Sequence, residues 1–143
     1  MARIDHIGIV VDDLDEAKRF LGETLGLDVR TVVDLPELGM TTAFFRCGDA
    51  DIELIGMADP EARKQRLGDA PARIEHVAIL IDDLEEMCSA LERKGVRLTG
   101  IPNVDIAHPV PFRVGSRLNV WTDPATTDGV IYQLIEDEED SPR

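Results

Sequence analysis

The stretch Arg3–Glu16, RIDHIGIVVDDLDE, returns at an offset of 70 residues as Arg73–Glu86, RIEHVAILIDDLEE, with each of the fourteen positions identical or conservatively exchanged. Internal repetition constrains a fold more than any local propensity, because a unit too small to close its own core must stack on its copy. One recurrence within 143 residues points to a pair of units rather than a solenoid. The spacing divides the chain into unit one (3–56), a linker (57–72), unit two (73–136) and an acidic tail (137–143), all within a single domain.

Within each copy, HIGIVV and HVAILI are short β-branched apolar runs of the kind that form buried strands. Asp12 or Asp13 with Glu16, and Asp82 or Asp83 with Glu86, then read as boxes that cap a helix start. One helix places Leu14, Ala17, Phe20, Leu21 and Leu25 on a common face, the other Leu84, Met87 and Leu91. Gly26 and Gly95 end them, and extended segments LDVRTVV and VRLTG follow. MTTAFFRC and ADIELIG complete the first unit, RLNVWTD and VIYQLIE the second. Each half therefore runs strand, helix, strand, strand, strand. The linker, polar and containing DPEARKQRLGDAP, has room for one or two helical turns. The connection from Thr99 to Ser116 carries three prolines and two glycines and is long for a hairpin, as binding loops and lids often are.

Composition narrows the function. The 29 acidic residues against 15 Lys and Arg give a net charge of −14, which repels nucleic-acid backbones. No apolar run reaches the roughly 20 residues that span a bilayer, so no membrane segment is expected. Asp5 interrupts MARIDHIGIVV, and Asp12 and Asp13 follow it, where a signal peptide needs an unbroken apolar stretch, so a cytoplasmic protein is expected. Cys47 and Cys88 have neither metal-finger nor redox spacing and read as thiols packed like small apolar groups. The closing EDEEDSPR reads as a solvated, disordered tail.

Polar residues then appear where the core should be. A lone histidine in an apolar strand, like His6, is ordinarily a satisfied packing residue, but His76 repeats it at the equivalent position. The last strand of each unit adds a second pair, Glu53 within DIELI and Gln133 within IYQLI. A solvent-facing alternation is the competing reading, strongest for Glu53 because Asp51 shares its face. Two nitrogen and two oxygen donors, contributed once per half, suit a divalent ion such as zinc, cobalt, nickel, manganese or iron, with positions left open for water or substrate.

These motifs resemble the vicinal-oxygen-chelate (glyoxalase/bleomycin-resistance) superfamily over about residues 3–136, and within it most closely the methylmalonyl-CoA epimerase family. The quoted matches are DHIGIVVDDLDEA on the first strand and GSRLNVWTDPATTDGVIYQLIE at the end. The resemblance implies an α+β fold in which two paired βαβββ units form a cupped mixed sheet around a central metal site. It implies His6, Glu53, His76 and Gln133 as the ligands of a divalent ion (Co, Ni, Zn or Mn). Glu37-Leu38-Gly39 matches a Glu-x-Gly segment whose glutamate is a proposed proton-transfer base in that family, which makes Glu37 the catalytic candidate. The chain departs from the family in one respect. The epimerases run His, Gln, His, Glu, whereas this chain runs His, Glu, His, Gln, so carboxylate and amide have exchanged units while the ligand charge is conserved.

The expected activity is proton abstraction beside a carbonyl, with the ion stabilising an enolate and Glu37 moving the proton. Racemisation needs a second acid or base, for which Glu53, a bound water or His108 are the options. The expected partner is a small-molecule substrate, possibly an acyl-CoA, and the expected assembly a homodimer. Arg113 and Arg117 beside the long loop offer positive charge to such a substrate or pair structurally. Two other functions fit the same motifs: a glyoxalase I-type lyase or another isomerase on a small oxo-acid, and a metal-free small-molecule binding protein.

Overall fold

The computed structural model describes residues 2–104 and 107–139. These divide into two compact units, residues 5–75 and residues 76–139 with the chain's first few. In the first, β1 (Arg3–Val11) leads through a helix, α1 (Leu14–Arg19), to β2 (Asp28–Leu35), β3 (Met40–Cys47) and β4 (Ala50–Met57). Its strands lie in the order β2-β3-β4-β1, antiparallel except for the closing parallel pair of β1 with β4. A second helix, α2 (Pro60–Leu67), fills the linker and leads to β5 (Ala72–Leu80). From there α3 (Leu84–Arg93) leads to β6 (Leu98–Thr99), β7 (Phe112–Val114), β8 (Arg117–Thr122) and β9 (Ile131–Asp137). The order β5-β9-β8-β6, with β7 also on β8 and β5 parallel to β9, repeats the first arrangement. The chain is therefore α+β, with mixed sheets and few helices, as the repeat predicts.

Each sheet half has an oily face under its helix. Val11, Leu21, Ala43, Phe45 and Leu54 pack with Leu14 and Ala17 in one unit. Ile81, Leu84, Val120 and Leu134 pack with Cys88 and Leu91 in the other. Both helices start where their capping acids predict, and the second acid of each pair serves. Asp13 accepts from the Glu16 N–H at 3.0 Å and Asp83 from the Glu86 N–H at 2.9 Å. Helix α1 departs from its predicted face. Beyond Arg19 the chain widens into a π-turn over Phe20–Thr24, closed by Leu25 N–H to Phe20 C=O at 3.0 Å. The wider turn shifts the 3.6-residue register, so Leu21 stays buried while Phe20 and Leu25 are 52% and 54% exposed.

Other expectations are corrected by pairing. The linker holds the expected two-turn helix, capped by Asp59, but its Arg66 is buried rather than solvated. Arg66 donates from Nε to Glu75 at 2.8 Å and from Nη2 to the other carboxylate oxygen, while Nη1 reaches the sulfurs of Met40 and Met57 at 3.4 Å each. Asp137, assigned to the tail, ends β9 and accepts from Ser116 and Arg117. Glu138 accepts both guanidinium bonds from Arg113. The tail from 140 to 143 lies outside the described residues. Cys47 is exposed rather than packed, whereas burial, helped by Glu92, pushes the Cys88 thiol up from its ordinary pKa.

Candidate metal centre

The face of each sheet half opposite its helix carries the polar residues. In the first unit, β1 turns His6, Gly8 and Val10 to this face, and β4 turns Asp51, Glu53 and Ile55 to it. Glu53 pairs in register with Gly8, so no side chain on β1 stands directly opposite it, and His6 lies two residues upstream. In the second unit Gln133 pairs with Ala78, and His76 again lies two residues upstream. The donors therefore occupy equivalent positions in the two halves, each opposite the smallest residues available. All four are buried, with exposures of 5% for His6, 9% for Glu53, 5% for His76 and 7% for Gln133. The solvent-facing reading of Asp51 and Glu53 is overturned, since Asp51 is buried as well.

His6 is held from behind. Its Nδ1 lies 2.8 Å from Asp5 Oδ2, and its Nε2 lies 3.4 Å from Glu53 Oε1. A neutral ring that donates its Nδ1 proton to Asp5 turns a lone pair toward a carboxylate oxygen, and two acceptors facing one another call for a proton or a cation between them. The edge of the His6 ring also meets Phe44, with centroids 5.7 Å apart. Buried Asp51, in register with His6, takes the Arg30 guanidinium at 2.7 Å and lies 3.4 Å from Arg46 Nε. Arg30 in turn lies over the Phe44 ring, 5.1 Å from its centroid. Asp51 is thus committed to arginines beside the donors. In the other unit, Gln133 Nε2 donates to Asn119 Oδ1 at 2.9 Å.

The remaining candidates lie outside the strands β1, β4, β5 and β9 that carry these donors. Glu37 is exposed, in the single 3₁₀ turn Pro36–Leu38 between β2 and β3, which Gly39 ends at a φ of 62°. His108 is withdrawn from acid–base duty by its own bonds. Its Nδ1 faces Pro109 C=O at 2.9 Å, and its Nε2 accepts from the Ile101 N–H at 3.2 Å. A Cβ on Gly100 would stand 2.1 Å from the His108 ring, so glycine there makes room for this staple. The stapled loop borders a cavity of about 430 Å³ that reaches Ile131, the register partner of His76. Arg113 and Arg117 pair structurally with Glu138 and Asp137. Asp5, Arg30 and Asn119 escaped the sequence reading. Only Asp5 had a visible signal, an acid adjoining the first histidine.

Paired βαβββ units with buried donors at matched strand positions define a class. The family model of the Glyoxalase/Bleomycin resistance protein/Dioxygenase superfamily matches residues 3–130, and the chain belongs to that superfamily. Among curated relatives, mitochondrial methylmalonyl-CoA epimerase of Mus musculus is 30% identical over 140 residues, covering 94% of this chain and 72% of that protein. The Bos taurus protein of the same name is 27% identical, covering 94% and 74%. The crystal structure of methylmalonyl-CoA epimerase from Mycobacterium tuberculosis superposes with a TM-score of 0.75 at 26% identity, covering 93% of this chain and 86% of that one. Among the described residues no helix is long and apolar enough to cross a membrane.

Proposed function

We propose that this chain is a divalent-metal-dependent epimerase acting on a carboxyl-bearing acyl thioester of the methylmalonyl-CoA type. One observation carries the reading: the register that places Glu53 opposite Gly8 and Gln133 opposite Ala78, each with a buried histidine two residues upstream. The relatives support the epimerase activity by their names. His6 and Glu53 from the first unit and His76 and Gln133 from the second would be the metal donors, two from each copy of the repeat. Two imidazoles, a carboxylate and an amide oxygen suit a borderline divalent cation.

When bound, such an ion supplies a Lewis acid that stabilises the negative charge developing on an oxygen beside the reacting carbon. The protein's own groups do the rest. Glu37 takes the proton from the carbon between the two carbonyls. Glu53 is the candidate acid on the opposite face, where it would carry the returned proton on the carboxylate oxygen that would not ligate. Gln133 carries no titratable proton and serves only to hold. Asp5 orients His6, and the Arg30–Asp51 pair keeps a competing carboxylate occupied. The exposed Val29, Val32 and Val33 on outer strand β2 support a homodimer, which light scattering in solution would test.

The test is solvent-deuterium incorporation at the central carbon of methylmalonyl-CoA by the cobalt-loaded protein. Exchange that is lost in Glu37→Gln while the metal is retained supports both assignments. A metal-loaded wild type that exchanges no deuterium overturns the epimerase reading.

A further inference from the structure

An amide offers a cation one useful end. Its oxygen can ligate, whereas its NH2 repels, so a glutamine in a metal site must be told which way to face. In the second unit that instruction can be traced to atoms with no choice. The C=O groups of Phe112 and Arg117 are acceptors only, and Asn119 Nδ2 lies 3.2 Å and 3.4 Å from them. This fixes the Asn119 amide with Oδ1 turned away from those carbonyls. Oδ1 in turn lies 2.9 Å from Gln133, so the end of Gln133 that meets it has to be Nε2. Gln133 Oε1 is then the end available to a cation. Both side chains are buried, at 6% and 7% exposure, so water does not scramble the order.

The first unit supplies an internal control. By register Asn119 opposes Ile135 on β9, and the residue that opposes Ile55 on β4 is Thr42. The unit whose last strand carries a carboxylate thus has threonine there, and the unit whose last strand carries an amide has asparagine. Glu53 has two equivalent oxygens and needs no sorting. We propose that Asn119 is a positioning residue that presents the oxygen of Gln133, rather than its NH2, to the metal. The proposal rests on Gln133 being a ligand, as inferred above.

The experiment measures Co²⁺ affinity of the metal-free chain by competition with a chromophoric chelator. Asn119→Leu removes the acceptor, and affinity falls about tenfold, the usual cost of losing a residue behind a ligand. Gln133→Glu replaces the amide by a side chain with no wrong end, so in that background Asn119→Leu changes affinity less than about twofold. Equal losses in both backgrounds, or no loss in the wild-type background, overturn the proposal. Gln133→Ala separates the two readings. Unchanged affinity there overturns Gln133 as a ligand and the proposal with it, whereas reduced affinity alongside a neutral Asn119→Leu overturns the proposal alone. If Asn119→Leu does not fold, Asn119→Ala replaces it in the same comparison.

Discussion

His6 Nε2 stands 3.4 Å from Glu53 Oε1 across the parallel β1–β4 pair, longer than a charge-assisted hydrogen bond of about 2.8 Å. The spacing suits two donors aimed at a common point, and Asp5 decides which ring nitrogen is aimed. Asp5→Asn removes the charge that holds Nδ1 at 2.8 Å. Co²⁺ affinity of the variant should fall about tenfold, as for other carboxylates behind a ligating histidine. Isothermal titration of the metal-free protein checks this, and affinity equal to wild type rejects the role given to Asp5.

Arg66 is a charged side chain of the linker helix that the fold cannot lose cheaply. Its side chain is 4% exposed and that of Glu75 8%. Arg66→Met removes two charge-assisted hydrogen bonds from that buried carboxylate, which should lower unfolding free energy by about 3 kcal/mol. Arg66→Met with Glu75→Gln removes both charges and should recover part of the loss. Urea denaturation of the three proteins measures the difference, and a double variant less stable than the single one refutes the account.

Acid should loosen the end of β9. Burial pushes the Asp137 carboxyl up, but the bonds from Ser116, the Glu139 N–H and Arg117 outweigh it and hold the group below its ordinary value. Folded Asp137 therefore binds a proton less readily than unfolded Asp137. Its contribution is fully present above the ordinary carboxylate range of about pH 4 and is lost as pH falls through the folded value. Asp137→Asn should cost about 1 kcal/mol at pH 7 and progressively less below pH 4. A variant whose deficit is the same at pH 7 and pH 3 contradicts the assignment.

How much of this was legible in the chain depends on the kind of information a residue carries. The histidines, Glu53 and Gln133 were visible because duplication prints each candidate position twice, and a polar residue that interrupts an apolar strand in both copies stands out. Strand β3 emerged at its predicted bounds, Met40–Cys47, because its alternation is local. Arg66 and Asn119 were not visible, since their roles come from partners brought near by the fold: Glu75 and two methionine sulfurs for one, Phe112 and Gln133 for the other. The exposure of Phe20 was hidden for a different reason. A π-turn leaves the apolar spacing intact in sequence while rotating it in space.

The exchanged carboxylate and amide make a last prediction about what the ligand set requires. If charge rather than position governs binding, Glu53→Gln alone weakens Co²⁺ affinity by 100-fold or more, because it leaves a dication without a compensating carboxylate, at a cost on the order of 3 kcal/mol. Glu53→Gln combined with Gln133→Glu restores the charge in the other unit and should return affinity to within about tenfold of wild type. The combined variant also moves the carboxylate among the four proposed donors from β4 to β9. Deuterium exchange should therefore change in rate even where the metal is held equally well, because a proton delivered from Glu53 now has to come from residue 133. Equal metal affinity with an unchanged exchange rate assigns Glu53 to holding the ion alone, and a combined variant as weak as Glu53→Gln shows that position, not charge, governs the site.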